Sequence, residues 1–384
     1  MLAILLLQSC ALFKKEANKS YPIQEPVAKE KKDSSPVIIE EIVIGPQDDE
    51  HSTEIDSSQD AKEELNKEMR MAIILPFDAD AVLLDDAHSL VMYFYQGLKS
   101  GLYAARLKGA KLTVDVYDSK SHGFYFQKLA EEFRRNNTDL ILGGLMKQSI
   151  ASLSQIALND SIPFVCPLYP TNGIVEKNPY HIQVNPGFNA HMARLQDHIL
   201  RQHPDARIFI IGRKSSSEVA RVNKILRDLE ASDLDTSVTR IEHILIDWKD
   251  ENSDISFENE LHNFQKHVFI IPSWSSETFV YHVLRQLSID KKESEILVFG
   301  MPQWKSFDLI SPEYLEKLQV HVSAGSYIDD PDVETNLERS IFKVFNDIPS
   351  EKEVLAYAVG ADVGQYFAEM LRRNKPLTEI IREV

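Results

Sequence analysis

Two cysteines, twelve histidines and three tryptophans carry the most distinctive chemistry of this 384-residue chain, and their spacing limits what that chemistry can be. Cys10 ends one apolar run and Cys166 sits inside another, which leaves no disulfide framework and no thiolate-rich zinc ligand set. Cys166, in an apolar strand pattern, reads as a core residue and not a nucleophile. The histidines form no His-Glu-x-x-His. His191 and His198 share a helix face but stand seven apart, beyond the spacing of three or four at which two side chains chelate one ion. Gly-x-Ser-x-Gly, a P-loop and Gly-x-Gly-x-x-Gly after a strand are all missing, and the Asp85-Asp86 pair lies in a polar loop with no partner base. These residues predict no catalysis, no metal and no cofactor. They do offer hydroxyl, amide and aromatic groups near the ends of predicted strands: Ser149, Tyr169, Thr171, Asn172, Ser215, Ser273, Trp274 and Trp304. Groups of this kind orient a small molecule and cover its apolar part. Serine and threonine at such places also cap helices, and tryptophans also pack between domains.

The elements that must position these groups alternate along the chain from Met71 onward. Met71-Ala-Ile-Ile-Leu-Pro-Phe77 is a continuous apolar run of buried-strand length, followed by apolar positions at helical spacing over 90–107. Strands are predicted at 111–117, 139–144, 162–168 and 181–184, with helices at 124–135 and 149–158. The unit then restarts: helix 190–202, strand 207–212, helix 216–231, strand 240–246, strand 267–272, helix 277–287 and strand 296–300. A further strand, 320–327, precedes helices at 333–346 and 353–373. Strands separated by helices of this length imply parallel sheets with right-handed crossovers, covered on both faces. The fold class expected is α/β, with two doubly wound Rossmann-like lobes and a cleft between them. In such sheets ligands sit at the carboxyl ends of the strands, where helix N-termini offer free N–H groups.

Composition separates this folded part from what precedes it. With 42 Lys and Arg against 59 Asp and Glu, the net charge of −17 argues against nucleic acid, and 43% hydrophobic content is enough for a core. Residues 11–70 hold 9 basic and 15 acidic side chains, only Phe13 and Tyr21 as aromatics, and Pro22, Pro26, Pro36 and Pro46. This segment reads as a disordered charged tether with an r.m.s. span of about 45 Å. An apolar island at 37–44 inside it can pair as a strand or bind a partner. Before it, residues 1–7 are apolar but too short to span a hydrocarbon core of roughly 20 residues.

Leu7-Gln8-Ser9-Cys10 resembles the lipobox of bacterial lipoproteins, with residues 1–10 as signal peptide. That resemblance implies acylation of Cys10 and a membrane anchor, since each buried methylene contributes about 0.8 kcal/mol. Ala11 after the cysteine points to the outer membrane, facing the periplasm. The rest of the chain, over roughly 71–375, resembles the type I periplasmic-binding-protein fold, the receptor-type ligand-binding region. The phrases that carry this are Ile73-Ile-Leu-Pro-Phe77, Phe94-Tyr-Gln-Gly97, Val116-Tyr-Asp-Ser119, Leu142-Gly-Gly144 and Val359-Gly-Ala-Asp-Val-Gly-Gln-Tyr-Phe367. It is similar in particular to periplasmic-binding-like lipoproteins of Bacteroidetes and to the C-terminal domain of the lipoprotein that activates penicillin-binding proteins. The resemblance implies three crossings between lobes, near Asn185, Pro302 and Tyr327. One lobe is then 71–185 plus 328–384, the other 186–301, and 302–327 is the crossing segment. It also implies that Ser149 and Thr171 fall where amino-acid-binding relatives hold a carboxylate; the family's α-amino contacts find no clean counterpart. The expected function is non-catalytic binding of an amino acid, sugar or cell-wall fragment in the cleft, with a transporter as partner. The alternative is a scaffold that presents this fold to cell-wall synthesis enzymes.

Overall fold

A computed structural model describes residues 38–44, 69–78, 86–120, 125–145, 147–170, 173–174, 177–231, 240–251, 253–261 and 265–372. The first sheet takes its strands from β1 (Ile38–Ile44), β2 (Met69–Leu75), β3 (Leu112–Asp118), β4 (Leu140–Gly143), β5 (Phe164–Cys166) and β6 (His181–Gln183). Its order is β1-β3-β2-β4-β5-β6, parallel throughout except for β1, which runs antiparallel along β3. The helices between these strands are α1 (Asp86–Leu107), α2 (Phe126–Asn136) and α3 (Lys147–Asp160).

The period-2 geometry of a strand divides this lobe's interior in two. Met71, Ile73 and Leu75 of β2 point to one face of the sheet, with Phe94, Leu98 and Leu102 of α1. Ala72 and Ile74 point to the other, with Leu129 and Phe133 of α2 and Leu153 of α3. Both faces are covered, so β2 from Met71 and β4 read as unbroken apolar runs, while β3 alternates apolar and polar residues in sequence yet buries all seven of them. Among these is Asp115, fully buried in β3, whose carboxylate takes a forked pair of bonds from Arg70 Nε (2.6 Å) and Nη2 (2.7 Å).

After β6 the chain passes to a second sheet through α4 (Phe188–Gln202). That sheet holds β7 (Arg207–Arg213), β8 (Ile241–Ile246), β9 (Lys266–Ile270), β10 (Glu295–Gly300) and β11 (Val320–Val322), in the order β11-β10-β9-β7-β8, all parallel. Its helices are α5 (Ser216–Glu230), α6 (Glu277–Asp290) and α7 (Pro312–Lys317), and a 3-10 turn spans Pro302–Ser306. The chain then returns to the first lobe as α8 (Pro331–Phe345) and α9 (Glu351–Arg372). Asp330 caps α8, accepting from Asp332 N at 2.9 Å, with Pro331 at the first helical position.

The return is secured by glycines. Gly97 and Gly101 of α1 meet Gly360 and Gly364 of α9 so closely that a Cβ at Gly97 would stand 1.9 Å from Tyr357 O, and one at Gly360 2.1 Å from Phe94 O. The two spacings of four put each pair on one helix face, so the backbones touch. Among the described residues no helix is long and apolar enough to cross a membrane.

Two sequence boundaries are corrected. The apolar island inside the segment assigned to the tether is β1, the edge strand of the first sheet, with Ile42 buried; 11–37 and 45–68 lie outside the described residues. Segment 302–327 is not a lobe crossing: Trp304, Ile310 and Leu318 belong to the second lobe's core and β11 extends its sheet. The crossings seen are after β6 and after β11, and none occurs near Pro302. They touch, since a Cβ at Gly325 would lie 2.7 Å from Asn185 Oδ1 and 3.2 Å from Pro186 Cδ.

Candidate functional site

The crossings leave from the carboxyl ends of β6 and β11, so both parallel sheets turn their carboxyl edges toward the same region. Each sheet also has a switch point there. In the first, β2 leads through α1 to β3 on one side and β4 leads through α3 to β5 on the other. In the second, β7 leads through α5 to β8 while β9 leads through α6 to β10. Right-handed crossovers put the two helices of each pair on opposite faces, which opens a crevice between β2 and β4 and another between β7 and β9.

Beside the first crevice, at the carboxyl ends of β2 and β3, the sheet edge is polar and partly open. Asp78, with a left-handed backbone (φ 52°), and Lys120 both donate their N–H groups to Asp118 Oδ1, at 3.1 and 2.9 Å. Asp118 is buried; Asp78 keeps a partly exposed carboxylate, 3.1 Å from Lys120 Nζ and 3.7 Å from His88 Nε2. Further along the edge, the Cys166 thiol reaches Tyr169 O (3.4 Å) and Asn185 Nδ2 donates to Leu168 O (2.6 Å). These contacts fix the loop that carries Tyr169, which stands exposed. Burial pushes the Cys166 thiol up to about 11, which fits its reading as a core residue. Ser149 is buried in the first turn of α3, while Thr171, Asn172 and Cys10 lie outside the described residues.

The second crevice has a closed centre and an aromatic rim. Glu218 is buried; its Oε2 accepts from Arg213 N (2.7 Å) and its Oε1 from Arg213 Nη2 (2.6 Å) and Ser273 Oγ (3.0 Å). Burial alone would raise this carboxyl's pKa, but the Arg213 guanidinium and N–H with the Ser273 hydroxyl outweigh it and hold the group below its ordinary value. Trp304 is buried too, its Nε1 donating to Ser273 O at 2.8 Å. Ser273 and Trp304 are therefore corrected as ligand contacts, since their polar atoms already hold the loops after β7, β9 and β10 together. Ser215 remains exposed at the N-cap of α5, and its hydroxyl makes no cap bond. Trp274 is half-buried, edge-on to Phe188 (centroids 6.0 Å, 76°), with the Arg221 guanidinium 5.9 Å from its own ring and 5.5 Å from that of Phe188.

Of the eight residues expected to bind, the structure thus leaves Tyr169, Ser215 and Trp274 at exposed or half-buried edges. Sequence reasoning missed Asp78, His88, Lys120, Phe188, Arg213, Glu218 and Arg221. Only Glu218 had a local signal, the Ser215-x-x-Glu218 spacing of a capping box, although here the carboxylate turns back past the cap to Arg213. Two concavities lie elsewhere: a 790 Å³ groove between α2 and α3 lined by Tyr125, Arg134 and Gln155, and a 330 Å³ one beside Phe342 and Ile348. Among the described residues no three His, Cys, Asp or Glu side chains gather so as to hold a metal ion.

Two doubly wound sheets of mostly parallel strands, joined by adjacent crossings, make the type I periplasmic-binding-protein fold. No protein-family model matches the sequence, and no curated protein does. Solved structures do. A protein from Rhodospirillum rubrum assigned to branched-chain amino acid ABC transport is 12% identical with a TM-score of 0.57, over 81% of this chain and 86% of that one. An ABC transporter substrate-binding protein of Desulfitobacterium hafniense, in complex with Leu, is 14% identical with a TM-score of 0.51, over 80% and 85%. Full-length LpoA of Haemophilus influenzae is 12% identical with a TM-score of 0.50, over 81% of this chain and 52% of its own length.

Proposed function

We propose that the chain is a lipid-anchored binding protein of the bacterial periplasm, held by an acylated Cys10 in the outer membrane. Its two lobes close on a small molecule, an amino acid, a sugar or a cell-wall fragment, without transforming it. A single observation carries this reading: two sheets bring their switch-point crevices to adjacent crossings, with polar groups at one edge and an aromatic rim at the other. The likeness to substrate-binding proteins, one of them with Leu bound, supports a ligand between the lobes and a place in the envelope. Thr171 and Asn172 complete the first lobe's contacts in this proposal, and a transporter is the partner.

Thermal melts of the full chain against amino acids, sugars and muropeptides test it. One compound should raise Tm by about 5 °C or more at a hundredfold excess over its Kd. No shift with any of them, together with retention of a cell-wall synthesis enzyme, would favour the second reading, a scaffold. That reading draws on the LpoA likeness and on the exposed Phe342, Val344 and Ile348 of the α8 region. For the anchor, Cys10→Ala should release the protein from the membrane pellet; retention of the variant, with no acyl mass on the wild type, would sink the lipoprotein assignment.

A further inference from the structure

The geometry points to a carboxylate as the group of the ligand that the second lobe recognises, with Arg221 as its receptor and Phe188 and Trp274 as the clamp that presents it. The inference rests on the cleft reading and narrows its ligand class.

Four arginines elsewhere in the chain show what a guanidinium does here when a carboxylate is within reach. Arg70 holds Asp115, Arg134 holds Asp160, Arg207 holds Glu242 and Arg213 holds Glu218. In a protein with 59 acidic residues, carboxylates are abundant. Arg221 nonetheless makes no ion pair and no hydrogen bond among the described residues. It is held instead by two rings that themselves meet edge to face, 5.5 and 5.9 Å from its guanidinium carbon. A cation–π contact engages the charge but leaves the N–H fork without an acceptor, and that fork matches a carboxylate with two parallel bonds.

The three residues converge from three directions on one place. Phe188 opens α4 just after the first crossing, Arg221 lies in the second turn of α5 beyond β7, and Trp274 follows β9. They rim the β7/β9 crevice, whose centre Glu218, Arg213 and Ser273 have sealed. The exposed Ser215 hydroxyl stands at the start of the same helix. A single guanidinium suits a monoanion, and the net charge of −17 disfavours a dianion such as phosphate. Trp274 adds an apolar surface for the rest of the molecule.

The test compares free acids with their neutral counterparts on the full chain. Amino acids and their C-terminal amides, benzoate and benzamide, and neutral sugars are titrated by calorimetry and by Trp fluorescence. An acid should bind while its amide binds at least tenfold more weakly. Arg221→Gln should abolish that difference, and Arg221→Lys should restore part of it. The Arg221→Gln variant should melt, unliganded, within about 2 °C of wild type, since one cation–π contact contributes little to stability. Acids and amides binding alike, a neutral sugar as the best ligand, or an unaltered acid affinity in Arg221→Gln would overturn this proposal and leave the cleft reading standing. No binding of any compound by the wild type would overturn both.

Discussion

The two lobes share one plan, a parallel sheet with helices on both faces, but they are assembled differently. The second is continuous in sequence from α4 to β11 and closes on local crossovers. The first is completed only when α9, some 250 residues beyond α1, lays its glycines against those of α1. Their crevices differ as well. Glu218 seals the centre of the second with charge-assisted bonds, whereas Asp78 leaves a carboxylate partly open beside the first. One fold thus supplies a rigid wall and a more permissive one, and the difference lies in where buried polar atoms find partners, not in the strands themselves.

The sharpest way to break this comparison is at the helix pair. Gly97→Ala places a methyl group 1.9 Å from Tyr357 O, a backbone atom that cannot swing aside, so the helices must separate. The expected loss is about 3 kcal/mol. All three tryptophans, Trp248, Trp274 and Trp304, belong to the second lobe's sequence, so their fluorescence follows that lobe while far-UV circular dichroism follows both. The variant should lower the dichroism midpoint in urea and leave the fluorescence midpoint in place. Coincident shifts would show that the lobes unfold as one unit and that the contrast in assembly has no energetic counterpart.

Acid should separate the lobes next. His181 is buried at the edge of the first sheet, its Nδ1 3.1 Å from Ser154 Oγ and its ring edge-on to Phe164. Burial lowers its pKa from 6.5 to about 4. Between those values the unfolded chain binds a proton that the folded chain excludes. The stability is complete above pH about 6.5 and is lost as pH falls toward 4, by up to about 3 kcal/mol. His181→Asn should flatten this dependence in the dichroism signal. His191 and His203, both lowered chiefly by burial, act in the same direction in the second lobe, so an acid response of the tryptophans should survive the substitution. Loss of both responses together would count against independent lobes.

Glu218→Gln tests the sealed crevice. It keeps the shape and removes the charge that holds Arg213, at an expected cost of about 2 kcal/mol. Because Ser273 links Glu218 to the Trp304 indole, the emission of the folded protein should shift as well. Unchanged emission and stability would mean that the network is incidental.

How much of this was legible in the sequence follows from the same contrast. Strands buried on both faces, such as β2, β7 and β10, are unbroken apolar runs, and the structure has them within two or three residues of where the sequence puts them. Three of the four glycines of the helix pair, Gly97, Gly360 and Gly364, stood in two of the phrases that carried the family resemblance, although nothing local said that they touch. Boundaries failed at sheet edges. β11 has three residues, two half-buried and one exposed, too few for its pattern to show which sheet it joins. Ser273 and Trp304 were misread because a serine or tryptophan after a strand looks the same whether it faces a ligand or a neighbour. The decisive partner, Glu218, is 55 residues from Ser273. Phe188, Arg221 and Trp274 were missed as a group for the same reason, since their meeting is a property of topology and not of spacing.

The smallest effect concerns β1, the antiparallel edge strand that has no counterpart among the described strands of the second sheet. Its ladder to β3 is antiparallel and its apolar anchor is Ile42. Three polar ties add to these: Tyr95 Oη donates to Glu40 Oε2 at 2.5 Å, Lys99 Nζ lies 3.6 Å from the same carboxylate, and Arg70 Nη2 lies 3.3 Å from Glu41. Glu40 and Glu41 are substantially exposed, so water replaces much of what a lost tie gave, and the ion pairs are worth little. Tyr95 differs because its ring is buried against Phe77 and its hydroxyl has that one acceptor. Tyr95→Phe should therefore cost about 1 kcal/mol. Because the loss falls on an edge strand, it should appear as local opening: β1 amides exchanging about fivefold faster, with β2 and β4 unaffected. Unaltered exchange in β1 would show that the ladder and Ile42 suffice to hold the strand. Acceleration spread through the whole first sheet would show instead that β1 is integral to the lobe and not an addition at its edge.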